Sequence, residues 1–226
     1  MNLQSPRVAL IHATPLAIQP IQDAFARHWP QARRMNLLDD SLSSDRAQAP
    51  TLTQGMVQRF VDLARYAQDT GCAGILFTCS AFGPAIEAAG RNTGLPTLKP
   101  NEAMFEQALA ARRGPLKLAL LATFEASLAP MTWELQQMAQ QRGSDVQLRT
   151  AFVPQAMDDL AQGRADDHHR KIAQAARQFA DCDAVMLAQF SMAAAQPVVQ
   201  AELPCPVLAS PDCAVLALQQ RIASHG

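Results

Sequence analysis

The stretch AGILFTCSAFGPAIEAAG, residues 73–90, decides how the whole chain is read. Ala73–Thr78 is a short apolar run rich in β-preferring residues, which predicts a buried strand. Ser80–Gly90 has helical spacing, and Cys79 sits at the junction. A strand that runs straight into a helix is the unit from which parallel sheets are built.

Working outward, Thr51–Asp69 carries Met56, Val57, Phe60, Leu63, Ala64 and Ala67 at the spacing of one helical face, and Gly71 stops it. On the other side, the Gly94 turn leads into a short strand at Leu95–Leu98 and a helix at Asn101–Arg112. Upstream, Arg7–Ile11 reads as a strand and Leu16–His28 as an amphipathic helix. Beyond Gly114-Pro115 the pattern restarts. Strands are predicted at Leu116–Ala122, Val146–Thr150, Ala184–Ala188 and Val207–Ala209. Helices are predicted at Ala126–Arg142, Asp166–Ala180, Met192–Ala201 and Pro211–Ala223.

The restart has one offset, 110 residues, which lays Arg7–Ile11 on Lys117–Leu121. The same shift lays Cys72 on Cys182, Ile75-Leu76 on Val185-Met186, Pro96 on Pro206 and Leu98 on Leu208. The expected fold class is therefore α/β, with two pseudo-symmetric halves at 1–114 and 115–226. Each half is a mostly parallel sheet flanked by helices. Ligands of such sheets bind beyond the carboxyl ends of the strands. The expectation is an active site in the cleft between the halves, with Cys79 and its counterpart Gln189 at matching strand ends.

Composition narrows the partners. The 226 residues carry a net charge of −1 and only 17% charged side chains, which speaks against nucleic acid and an anionic membrane surface as partners. The opening MNLQSPRVALIHATP has no long apolar core, so no signal peptide is predicted, and no apolar run suffices to span a bilayer. Five widely spaced cysteines, an odd number, read as free thiols in a cytoplasmic protein. A homo-oligomer is left open.

Cys79 is the candidate catalytic group. The amides of Ser80, Ala81 and Phe82, as first-turn donors, are expected to favour an anion and lower the pKa of the adjacent thiol. The same donors could hold a substrate carboxylate. Cys72 and Cys182 precede their strands, at the far end from such a site, and read as packing residues.

In this organisation, and in the segments FTCSAFG and LLATFEAS (120–127), the chain resembles the aspartate/glutamate (hydantoin) racemase superfamily. That superfamily includes maleate isomerase and arylmalonate decarboxylase relatives. The resemblance implies a cofactor-independent enzyme acting at or next to the α-carbon of a small carboxylic or amino acid. The family's first cysteine, followed by Asn-Thr, maps onto Cys79-Ser80-Ala81. Its second, in a Gly-Cys-Thr setting, maps onto Ala188-Gln189-Phe190, and the threonine of the family's Ala-Thr segment at the start of the second half maps onto Thr123. The implied substrate-binding residues are Ser80, Ala81, Thr123, Gln189, Ser191 and Thr14. Gln189 cannot exchange a proton near neutral pH, so a symmetrical two-thiol racemase does not carry over. His12, at the end of the first strand, and Cys213, near the start of the last helix, are the candidates for a second acid or base. A racemase-type isomerase leads this reading. A single-thiol decarboxylase or lyase, and a non-catalytic carboxylate-binding protein, stand beside it.

No metal is expected. In DDHHR (166–170) adjacent histidines diverge by about 100° on a helix, so this segment reads as a solvated helix start. Asp39-Asp40 and Asp158-Asp159 read as loop charges, with no identifiable partner that would make them a general acid–base pair. Neither a Walker loop nor a GxGxxG fingerprint is present.

Overall fold

A computed structural model describes residues 5–110 and 114–225. The strands are β1 Arg7–His12, β2 Arg33–Leu38, β3 Gly74–Phe77, β4 Thr97–Leu98, β5 Leu116–Ala122, β6 Val146–Phe152, β7 Ala184–Leu187 and β8 Val207–Ala209. The helices are α1 Ile18–His28, α2 Ser41–Gln48, α3 Gln54–Asp69, α4 Gly83–Thr93, α5 Glu102–Leu109, α6 Leu128–Gln141, α7 Ala156–Ala161, α8 Ala165–Ala176, α9 Gln196–Gln200 and α10 Ser210–His225. Short 3-10 turns precede α1, α4, α6 and α9.

These elements form two four-stranded parallel sheets, ordered β2-β1-β3-β4 and β6-β5-β7-β8. The expected offset holds at the level of register. Val8 pairs with Gly74 as Leu118 pairs with Ala184, and Ile75 pairs with Thr97 as Val185 pairs with Val207. It fails at one place. Arg7 is opposite Arg33, whereas Lys117 is opposite Gln147, so the second unit spends four more residues reaching its edge strand.

Parallel strands covered by helices on both faces must be apolar on both. In the second unit, Ala119, Leu121, Val185 and Leu187 face one buried cluster, with Ile172, Ala176 and Phe179. Leu118, Leu120, Ala122, Ala184, Met186 and Ala188 face the other, with Met104, Phe105 and Leu135. The alternation is the period-2 geometry of a strand. In the first unit the Phe60 ring stacks on Phe77 and Phe82, with centroids 5.0 and 4.7 Å apart.

The compact units are not the contiguous halves 1–114 and 115–226. One gathers Met1–Pro100 with Pro211–Gly226, and the other is Asn101–Ser210. Helix α5 gives its apolar face, Met104, Phe105, Ala108 and Leu109, to the β5–β7 core. Helix α10 belongs to the first unit, burying Ala214, Val215 and Leu218. Its Ile222 comes so close to β3 that a Cβ at Gly74 would stand 2.7 Å from Ile222 Cδ1 and 3.1 Å from the Pro96 carbonyl oxygen. Asp212 of α10 takes Arg27 at 2.7 Å and His28 at 3.0 Å, and Arg221 donates to the Thr97 carbonyl at 3.1 Å.

Three elements, β2, α2 and α7, have no counterpart in the sequence reading. β2 is an exposed edge strand that opens on Arg33 and Arg34. In α2 only Leu42 and Arg46 are buried, too little apolar spacing to betray a helix. Of the Asp pairs, Asp39-Asp40 lie in a loop as expected, whereas Asp158-Asp159 lie on α7. Asp39 accepts from Arg59, and Asp159 is 4% exposed on α7, where it takes Lys171 and Arg164. His168 is not solvated: it falls on the buried stripe of α8 with Ile172 and Ala176, and neither ring nitrogen has a partner. Its burial, together with the neighbouring His169, lowers its pKa to about 4.

Candidate active site

β3 delivers Cys79. The ladder continues past the strand, with Thr78 N–H donating to Ile11 O at 3.0 Å, and Cys79 stays extended at φ −117°, ψ 121°. The chain then tightens into the 3-10 turn Ser80–Phe82, and Pro84 starts α4. Cys79 is half-buried, while Ser80 and Ala81 are buried.

Three groups favour an anion on the Cys79 sulfur: the Ala81 N–H, the Ser43 hydroxyl and the Arg46 guanidinium. Desolvation outweighs them, and the pKa is pushed up to about 11. The sequence expectation of a lowered pKa is therefore reversed. A buried thiolate loses its water, and one backbone donor with one hydroxyl replaces only part of that solvation. At neutral pH Cys79 carries its proton.

Ser43 and Arg46, both on α2, escaped the sequence reading. Their i, i+3 spacing in SLSSDRAQ (41–48) was the signal that could have found them. The Ser43 hydroxyl donates to Ala13 O at 2.6 Å, which pins α2 to the end of β1. Arg59 of α3 holds the helix from the other side. Its Nε donates to Asp39 at 2.9 Å, its Nη1 to Asp45 at 2.6 Å, and its Nη2 to Asp39 and Ser41. Arg46 is 9% exposed. Its Nη1 donates to Ala49 O at 2.9 Å, while its buried Nε has no partner and no ion pair forms to it among the described residues. A buried guanidinium without a counter-ion fits an incoming anion.

His12 is fully buried, and both ring nitrogens are engaged. Asn36 Oδ1, which also accepts from Gln22 at 2.9 Å, lies 3.0 Å from His12 Nε2. That assigns the ring proton to Nε2, leaving Nδ1 to accept from the Thr78 hydroxyl at 2.8 Å. Burial lowers its pKa, with Asn36 opposing, so the ring is neutral and both nitrogens are occupied. This is an arrangement that positions Thr78 and not one that takes up a proton. Cys213 lies half-buried on α10, its pKa raised by burial and by Asp212. Thr14 caps the turn before α1, accepting from Leu16 N–H at 3.4 Å.

The matching corner of the second unit is closed on itself. Gln189 Oε1 accepts from Thr123 N–H at 2.8 Å and from the Thr123 hydroxyl at 3.2 Å. Its Nε2 donates to Ser127 Oγ at 2.6 Å, and the Ser127 hydroxyl donates to Phe124 O at 2.7 Å. Thr123 and Gln189, both expected to hold substrate, satisfy each other, through a serine that the sequence reading passed over. Ser191 lies buried in the turn after Gln189.

Among the described residues, no group of three His, Cys, Asp or Glu side chains is placed to hold a metal ion. None of their helices is long and apolar enough to cross a membrane.

Residues 11–218 match the family model described as Asp/Glu/Hydantoin racemase. No curated protein sequence matches the chain. Among solved structures, glutamate racemase isoform RacE1 from Bacillus anthracis is similar over 99% of this chain and 84% of its own, with a TM-score of 0.76 at 12% identity. Allantoin racemase from Klebsiella pneumoniae is similar over 98% of this chain and 89% of its own, with a TM-score of 0.71 at 18% identity. Unliganded arylmalonate decarboxylase gives a TM-score of 0.60 at 16% identity, over 98% of this chain and 94% of its own. At these identities the likeness is one of fold.

Proposed function

The chain belongs to the Asp/Glu/hydantoin racemase family, and from that premise we propose that it moves a proton at the α-carbon of a small carboxylic or amino acid, with Cys79 as the exchanging group. The observation that carries this reading is the environment of the Cys79 sulfur. With a pKa of about 11 the thiol is a stored proton, and only about one molecule in 10⁴ is a thiolate at pH 7. Toward a carbanion or enediolate such a group is the acid; in exchange at an α-carbon its thiolate fraction first takes the α-proton, and the thiol so formed returns a proton to the same carbon. The Ala81 N–H and Arg46 are then in place to stabilise the thiolate left behind, and the Ser43 hydroxyl joins them by turning its proton from Ala13 O to the sulfur. Arg46 supplies the cation that a carboxylate substrate needs, and Ser80 is the nearby hydroxyl for one of its oxygens.

Gln189 favours a second reading within the same chemistry. With no thiol at that position, a reaction needing one proton fits better than one needing an acid and a base. In a decarboxylation the bond from the α-carbon to the carboxylate breaks and carbon dioxide leaves. The electron pair stays on the α-carbon, Cys79 delivers its proton there, and water restores the thiol.

Heavy water separates the readings. A panel of small amino acids, hydroxy acids and malonates is incubated with the protein in deuterium oxide. Deuterium at the α-carbon of a recovered acid supports isomerase-type exchange, whereas carbon dioxide release with one deuterium in the product supports decarboxylation. Ligand-induced thermal stabilisation without either would leave a carboxylate-binding protein and overturn the enzymatic reading.

A further inference from the structure

At the end of β5 the second unit builds a seat for one oxygen atom. Thr123 aims two donors, its backbone N–H and its hydroxyl, at a single acceptor, and Thr123 is only 5% exposed. The acceptor is the Gln189 carboxamide oxygen. Its orientation is fixed from both ends, because Thr123 N–H can only donate, and Ser127, whose own proton goes to Phe124 O, can only accept from Nε2. We propose that the Thr123 seat is a carboxylate-oxygen site which this chain occupies with its own side chain, so that residue 189 determines whether the second unit admits a carboxylate.

The lock is not required by the fold. By the shared register, Ala13, Ala17 and Cys79 occupy the corresponding positions of the first unit, where no such set of bonds forms. The first unit nevertheless makes the same strand, 3-10 turn and helix, with Pro15–Ala17 and α1 matching Glu125–Ser127 and α6. Two donors converging on one oxygen serve a carboxylate as well as a carboxamide, and serve the charged group better. Removing the carboxamide leaves those donors at a buried position with room for an exogenous oxygen.

The seat lies wholly within residues 101–210 and does not rest on Cys79 being catalytic, so the test also runs in the Cys79→Ser background. Full-length Gln189→Ala is titrated with acetate, followed by thermal unfolding and by the carbon-13 linewidth of labelled acetate. The expected result is a rise in Tm and a broadening of the acetate signal larger than any that wild type shows through Arg46 and Ser80 of the first unit. Adding Thr123→Val, which removes the hydroxyl donor, should weaken that response. A folded Gln189→Ala protein indifferent to acetate, or a wild type that responds equally, overturns the proposal. Should Gln189→Ala not fold, Gln189→Glu keeps the length of the side chain and reports on the same donors. Its new carboxylate should titrate below the ordinary glutamate value of about 4.3 by carbon-13 chemical shift. A pKa at or above that value overturns the proposal equally.

Discussion

The ends of β3 and β7 share a backbone and differ in chemistry. In both, a four-residue buried strand gives way to an extended residue and a 3-10 turn. At the first, Cys79 is surrounded by a backbone donor, a hydroxyl and a guanidinium. At the second, Gln189 is bonded to Thr123 and Ser127. The neighbouring helices diverge in the same way. Asp39 N–H bonds to His12 O as Val153 N–H bonds to Ala122 O. Counting from that shared bond, Ser43 and Arg46 of α2 fall on Met157 and Leu160 of α7, while Asp45 falls on Asp159. The aspartates, which anchor each helix to Arg59 or Lys171, are kept. What packs and anchors is repeated, and what could act on a substrate is present once.

Equalising the two corners should have its largest effect at the thiol. Cys79→Ser removes the exchangeable proton and is expected to lower α-carbon exchange by about 10²–10⁴-fold. Cys182→Ser, at a packing position of the second unit, should leave the rate in place. Isotope incorporation by mass spectrometry reads both.

The raised pKa of Cys79 gives a pH signature. Its alkylation by iodoacetamide should climb about tenfold per pH unit and level off only near pH 11. The sign for stability follows. The folded pKa lies above the unfolded value, so the protonated thiol is favoured by the fold. The contribution is fully present below the unfolded pKa, near 9, and is lost as pH rises through about 11. Wild type should therefore lose denaturation midpoint across that window faster than Cys79→Ser.

Arg46→Met gives α2 the apolar character that α7 has at Leu160. A charge-assisted bond to substrate is lost, which should raise KM about 10–100-fold. Because the buried Nε is already without a partner, Tm should stay level or rise. A fall in Tm with KM unchanged would make Arg46 a packing residue.

The smallest expected effect is on packing. Gly74 stands where the second unit has Ala184. Gly74→Ala pushes a methyl group against Ile222 and the Pro96 carbonyl and should cost about 1–3 kcal/mol. Ala184→Gly should cost only about 0.5–1 kcal/mol. Urea denaturation of the two variants makes the comparison.

The sequence was most legible where burial dictates residue type. β5 and β8 have the predicted bounds, and β1, β3 and β7 lie within a residue or two of theirs, because strands buried on both faces leave little choice but Val, Ile, Leu and Ala. β2 was hidden because an edge strand tolerates Arg33, Arg34 and Asn36 on its exposed positions. At the site, Cys79 was legible from its place after a strand, but not its raised pKa, which depends on how many atoms surround the sulfur. Arg46 and Ser43 had only their i, i+3 spacing to mark them, because α2 contributes one large apolar residue, Leu42, to the core and does not read as a helix. Gln189 was read as a ligand because its spacing shows where it sits and not that Thr123 and Ser127 already claim its oxygen and one N–H.

The assignment of α10 to the first unit bears on the order in which the protein is made. Residues 101–210 are contiguous, so the second unit is complete as soon as it leaves the ribosome. The first unit is complete only when α10 follows, after the whole of the second has been synthesised. At ordinary rates of translation that interval is on the order of 10 s, far longer than a small domain needs to collapse. Throughout it the surface of β3 around Gly74, which Ile222 later covers, is apolar and without its helix.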